Sequence, residues 1–232
     1  MIRLVDLSQD LYHGVPNFAC DPQTAIFTHL VIADRGYNNA VIVTGTHQGT
    51  HMDAPYHFFD DGKTIDQLDI KKGFGPAWVL DFTYKKPKEE ITAADLKVHE
   101  EKITKGSRIV FHTGWDKVFP EKRYLSDQPY LGIEACQYLV DRGVACIAID
   151  APTIYPEKYK PVHHILLKKD TEMMIIESLM HLDRLQNDRI ILIAFPLRIM
   201  QRDGSPSRAI AIDGNIEPFL PLFEEMQYSL EK

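Results

Sequence analysis

Two short apolar runs constrain this chain more than anything else in it. Residues 144–149 read Val-Ala-Cys-Ile-Ala-Ile, and residues 190–195 read Ile-Ile-Leu-Ile-Ala-Phe. A half-exposed strand alternates apolar and polar side chains, so uninterrupted runs of this length predict strands buried on both faces. Further β-rich segments fall at 4–7, 25–33, 40–44, 77–82, 108–112, 173–176 and 209–212. The segments at 25–33 and 40–44 flank a turn at 34–38 and read as a hairpin. Helices are expected from Thr92, an N-cap with Asp95 three residues on, over 133–142 with a stop at Gly143, and over 162–169. Strands interleaved with helices, beginning with a hairpin, predict one α/β domain with a mixed sheet over residues 1–232.

Composition narrows the function. The chain has 33 acidic residues against 26 Lys and Arg, a net charge of −7. Its lysine-rich pieces at 85–88 and 168–169 are short and flanked by acids, so nucleic acid is not an expected partner. No apolar stretch approaches the ~20 residues that cross a bilayer, so no membrane partner is expected. The first residues show no signal-peptide pattern. Cys20, Cys136 and Cys146 are far apart and none lies in a CxxC, which suits a reducing cytoplasm. Cys136 and Cys146, in apolar surroundings, are expected to be packing residues.

The chemistry concentrates where the hairpin ends. Residues 46–57 read Thr-His-Gln-Gly-Thr-His-Met-Asp-Ala-Pro-Tyr-His, with the ligand types that hold Zn²⁺, Mn²⁺ or Fe²⁺. In a straight strand His47, His51, Asp53 and His57 share a face. Two residues span ~6.6 Å, within reach of one ion, but four span ~13 Å, which separates His47 from His51. The surrounding residues are poor helix formers. The backbone must therefore bend, and Gly49 has the freedom to do so. Pro55 then ends the strand pairing and turns the chain towards His57. His163, His164 and Glu177 are candidates to complete a larger site, whereas His29, His99, His112 and His181 read as structural or solvated.

This stretch resembles the cyclase family of metal-dependent hydrolases, which includes bacterial kynurenine formamidase and isatin hydrolase. The family motif is HxGTHxDxPxH, and residues 47–57 match every fixed place. Thr113-Gly114-Trp115 matches the family's TGW. Asp150-Ala151-Pro152-Thr153 resembles its DxPS with Thr for Ser, and His163 to Glu177 with Leu179 resembles its H…ExL segment. The resemblance implies a swivelling β/β/α fold and a homodimer or homotetramer. It implies that His47, His51 and Asp53 hold a divalent ion, Zn or Mn. His163 and Glu177 would complete a place for a second ion, with His164 as the alternative to His163. His57 would be the general acid/base. In the loop at 16–22, Phe18 stands where the family carries a substrate-contacting tryptophan. The implied reaction is hydrolysis of a small aromatic amide, an aryl formamide such as N-formylkynurenine. An isatin-like cyclic amide or lactone is the alternative substrate, and a non-catalytic metal-binding protein the alternative of another class.

Overall fold

A computed structural model describes residues 1–169, 171 and 173–225; the end of the expected 1–232 domain lies outside the described residues. The chain begins with β1 (Arg3–Asp6) and then forms the expected hairpin from β2 (Ala25–Leu30) and β3 (Asn39–Val43). A helical turn, α1 (Ile32–Arg35), takes the end of the 25–33 run, which the sequence predicts as strand. Next come β4 (His51–Asp53), β5 (Phe74–Asp81), β6 (Glu90–Ile91) and α2 (Ala93–Lys97). Thr92 and Asp95 form the reciprocal cap that starts α2: the Thr92 amide donates to Asp95 at 2.7 Å and the Asp95 amide to Thr92 Oγ1 at 3.2 Å. The chain continues through β7 (Arg108–His112), β8 (Tyr130–Leu131), α3 (Ile133–Asp141), β9 (Cys146–Ile149) and α4 (Tyr159–Leu166). The described residues end with β10 (Met174–Glu177), β11 (Arg189–Pro196), β12 (Gly204–Asp213) and α5 (Leu220–Glu225).

Three starts differ from expectation by three residues or more, and the first is β5, which begins at Phe74 rather than 77. Helix α4 lies three residues earlier than 162–169. Pro161 falls in its first turn, where a missing N–H costs no hydrogen bond. Strand β12 begins at Gly204, five residues before the expected 209; residues 204–206 pair with β4 alone and β11 pairs only from Ser207, so Pro206 sits where one side of the strand carries no ladder.

The strands run in the order β12-β11-β5-β7-β9-β10-β4, and β4 pairs back onto β12. Seven strands thus close into a mixed barrel. β5, β7, β9 and β10 are parallel, and the remaining pairs are antiparallel. The length of β12 permits the closure: residues 204–206 pair with β4 while 210–213 pair with β1.

Alternation along the central strands divides the core in two. Ile109, Phe111, Ile147, Ile149 and Ile175 face outward onto α2, α3 and α4, packing with Leu96, Leu139, Val162 and Leu166. Val110, Cys146, Ala148, Met174 and Ile176 face the barrel interior, with Ala77, Ala194, Ala209 and Ala211. The run at 144–149 is therefore buried on both faces, one against helices and the other against the far wall of the barrel, whereas the run at 190–195 has its outer residues Ile191 and Ile193 against Ile216 and Leu220 and leaves Phe195 41% exposed. The many small interior residues suit so narrow a barrel. Cys136 and Cys146 are buried, as expected, and Cys20 is exposed.

Candidate metal centre

The motif reaches the barrel at its closing strand. Gly49 bends the chain with φ +63°, a conformation that favours glycine, and His51 then enters β4. Thr50 anchors the bend: its hydroxyl donates to Ser178 O at 2.6 Å and accepts the Gln9 amide at 2.7 Å. β4 lies between β10 and β12, in a register that sets His51 opposite Glu177 and Asp53 opposite Gly204. Pro55 opens a 3-10 turn, Pro55–His57, that carries His57 off the strand.

Two buried histidines face two buried acids with a regular spacing. His51 Nε2 lies 3.4 Å from both Asp53 Oδ1 and Glu177 Oε2. His163 Nε2 lies 3.4 Å from Asp53 Oδ2 and 3.5 Å from Glu177 Oε1. These separations exceed a normal N–H···O hydrogen bond. Tetrahedral donors ~2.1 Å from an ion stand about 3.4 Å apart. The donors thus fit a divalent ion at each histidine, each acid giving one oxygen to each place. The other ring nitrogen is committed in both cases: His51 Nδ1–H donates to Gly49 O at 2.8 Å and His163 Nδ1–H to Tyr159 O at 2.7 Å. Such bonds would aim Nε2 at an ion bound there. The Ile154 amide steadies Glu177 through Oε1 at 2.9 Å.

His47 and His57 lie beside this cluster. His47 Nδ1 is 2.8 Å from Asp53 Oδ1, and its Nε2 is 2.7 Å from Asp203 Oδ2. The His57 ring stacks on His47 at 3.8 Å, with its Nδ1 3.7 Å from Asp203 Oδ2. His57 is 29% exposed, against 4% for His51 and His163. Asp203 is absent from the sequence-based candidates. It lies 150 positions beyond Asp53, and only the pairing of β4 with β12 brings it close.

The charges are tightly coupled. Burial alone would push the imidazoles down, but the carboxylates of Asp53 and Glu177 outweigh it and raise His51 and His163 to about 10. His47, against Asp53 and Asp203, is raised to about 9 despite burial. Burial opposes ionisation of Asp53, yet the surrounding imidazoles hold it well below the usual carboxylate range. With no ion bound, protons balance the negative charge. Behind the centre, Asp150 accepts the amides of Thr113 and Gly114 at 2.9 Å and 2.7 Å and ties two further motif segments together. Burial pushes its carboxyl up to about 7.

Of the residues singled out by sequence, His47, His51, Asp53, His57, His163 and Glu177 converge. His164 does not; it is exposed and packs against Phe58 and Phe59. Phe58 stacks on His163 at 4.8 Å and so covers the centre. Phe18 is half-buried in a loop seated on the motif, where Gln48 Nε2 donates to Pro16 O at 3.1 Å. Asp116, His181 and Asp183 also cluster, but Lys117 Nζ, 2.7 Å from Asp183 and 3.7 Å from Asp116, already supplies positive charge there.

Comparison with known proteins identifies the family. The Cyclase family model matches residues 5–155. Kynurenine formamidase from Sphingopyxis alaskensis is 31% identical over 90% of this chain and 98% of its own. The enzyme of that name from Geobacillus thermodenitrificans is 34% identical over 88% and 95%. An isatin hydrolase solved with the product analogue thioisatinate superposes with a TM-score of 0.82 at 26% identity, covering 91% of this chain and 92% of that one. The motif, the closed sheet and these likenesses along nearly the whole length place the chain in the Cyclase family.

Proposed function

We propose that this protein is a metal-dependent hydrolase that cleaves the amide C–N bond of an aryl formamide such as N-formylkynurenine. One observation carries the reading: Asp53 and Glu177 each present one oxygen to His51 and the other to His163, at 3.4–3.5 Å. That donor set suits two divalent ions, and its mixture of imidazole and carboxylate suits Zn²⁺ or Mn²⁺. His47, His51, Asp53 and Glu177 would hold one ion, and His163 with the same two acids the other. Bound there, a divalent ion supplies Lewis acidity and lowers the pKa of coordinated water.

The chain's own groups do the rest. His57 is the one imidazole of the cluster open to a substrate. Its Nδ1 faces Asp203, so Nε2 is the atom that takes a proton from water and returns it to the leaving nitrogen. An aryl amine leaves more readily than an alkyl amine, which favours formanilide-type substrates. Phe18, in the loop seated on Gln48, would contact the aromatic ring. The relatives named kynurenine formamidase support this substrate.

A second reading, hydrolysis of an isatin-like cyclic amide, is favoured by the superposition on isatin hydrolase. The closed sheet with helices on one side is read here as the swivelling β/β/α type. Exposed Phe27, Ile32, Tyr37 and Ile42 on and around the β2–β3 hairpin support a homodimer or homotetramer, and the free thiols suit the cytoplasm. The test is a panel of aryl formamides, isatin and simple lactones, assayed with Zn²⁺ and with Mn²⁺. N-formylkynurenine should be the best substrate. Faster turnover of isatin supports the second reading, and metal-loaded protein inert towards the whole panel overturns both.

A further inference from the structure

We infer that Asp203 is a positioning residue of the metal centre, holding His47 by its Nε2–H so that Nδ1 is the atom left to ligate an ion. The inference rests on the metal-centre reading above. The two ring nitrogens of His47 meet different carboxylates: Nδ1 is 2.8 Å from Asp53 Oδ1, and Nε2 is 2.7 Å from Asp203 Oδ2. Asp53 Oδ1 is also the oxygen that faces His51, so the ion shared by His47 and His51 belongs on the Nδ1 side. A ring that gives its Nε2–H to a carboxylate keeps its lone pair on Nδ1 and becomes a more basic ligand. His51 and His163 are set the opposite way, each giving Nδ1–H to a backbone carbonyl.

Asp203 is itself fixed from two directions. Its carbonyl accepts the Ala54 amide at 2.8 Å. Its carboxylate oxygens lie 3.3 Å and 3.2 Å from Thr46 Oγ1, which donates to them. The next residue is Gly204, where a Cβ would stand 2.5 Å from His47 Cε1; the bare backbone lets the His47 ring lie beside β12. Asp203 Oδ2 also faces His57 Nδ1 at 3.7 Å, so one carboxylate orients a ligand and lies next to the proposed acid/base.

The test measures Zn²⁺ affinity of the full chain against a chromophoric chelator, together with ¹⁵N spectra of the imidazoles in Zn²⁺-loaded protein. Asp203→Ala should lose affinity roughly 10- to 100-fold. Asp203→Asn, which keeps an acceptor oxygen without the charge, should recover part of that loss. In the parent, His47 should carry its proton on Nε2 and a metal-shifted Nδ1. Thr46→Val, which frees the Asp203 carboxylate, should lose a few-fold and serves if Asp203→Ala does not fold. Parent affinity in both Asp203→Asn and Thr46→Val, or metal on Nε2 of His47, overturns the inference. Asp53→Asn separates the two levels of the argument. If it also binds as the parent does, the metal-centre reading has failed; if it alone loses metal, only the role of Asp203 has.

Discussion

Asp53 serves three imidazoles and Glu177 two, and this decides what single substitutions should do. Glu177→Gln leaves one acceptor oxygen where two are needed. Bound metal should fall from two ions per chain to one, held by His47, His51 and Asp53, as read by elemental analysis of desalted protein. His57→Ala should behave in the opposite way. Its ring is a third exposed and lies outside the His51–Asp53–Glu177–His163 set, so metal content should stay at the parent value while turnover drops by at least the 10²–10⁴-fold typical of a lost acid/base. Parent-rate hydrolysis by this variant would remove His57 from the mechanism. Most of these residues were legible locally, because residues 47–57 carry their spacing in a single stretch. Asp203 was not, since nothing near an isolated Asp-Gly-Ser-Pro marks it as a neighbour of His47.

Among the elements, β4 and the start of β12 form the most demanding contact. A Cβ on Gly204 would fall 2.5 Å from His47 Cε1 and 2.8 Å from Met52 O, and the second of these is backbone that cannot rotate away. Gly204→Ala should therefore lower stability by about 1–3 kcal/mol and weaken metal binding, both measurable by thermal denaturation with and without Zn²⁺. Unchanged melting would show that the strands part more easily than their packing suggests. The elements that sequence located well are those with a local cause. β7 is bounded as expected, and α2 starts at a reciprocal Thr92–Asp95 cap. α4 and β12 were misplaced because proline and glycine read as breakers locally, while the first turn of a helix and a strand start paired on one side tolerate them.

For the molecule as a whole, the apolar run at 144–149 disclosed a strand buried on both faces, but the run at 190–195 did not foretell the exposed Phe195 and neither showed that the sheet closes on itself; closure depends on a three-residue strand with no distinctive pattern of its own. The centre also links stability to pH. In the metal-free protein His47, His51 and His163 have folded values raised to about 9–10, above the ~6.5 of an unfolded chain. Their contribution is complete below pH 6.5 and is lost as pH rises through 9–10. The metal-free melting temperature should thus fall between pH 7 and 10. Metal displaces these protons, so the gain in melting temperature on adding Zn²⁺ should widen over the same interval. A gain independent of pH would contradict the protonated state assigned to the three rings.

The three-residue strand that closes the barrel carries His51 and Asp53 between β10 and β12. Two of the side chains that would hold an ion there, His51 and Asp53, keep their places through the same backbone pairing that completes the sheet. Escape of the ion is then a breathing event rather than a simple dissociation. Loss of metal to a chelator should reach a ceiling rate as chelator concentration rises, and that ceiling should match the opening rate seen by hydrogen exchange at residues 51–53.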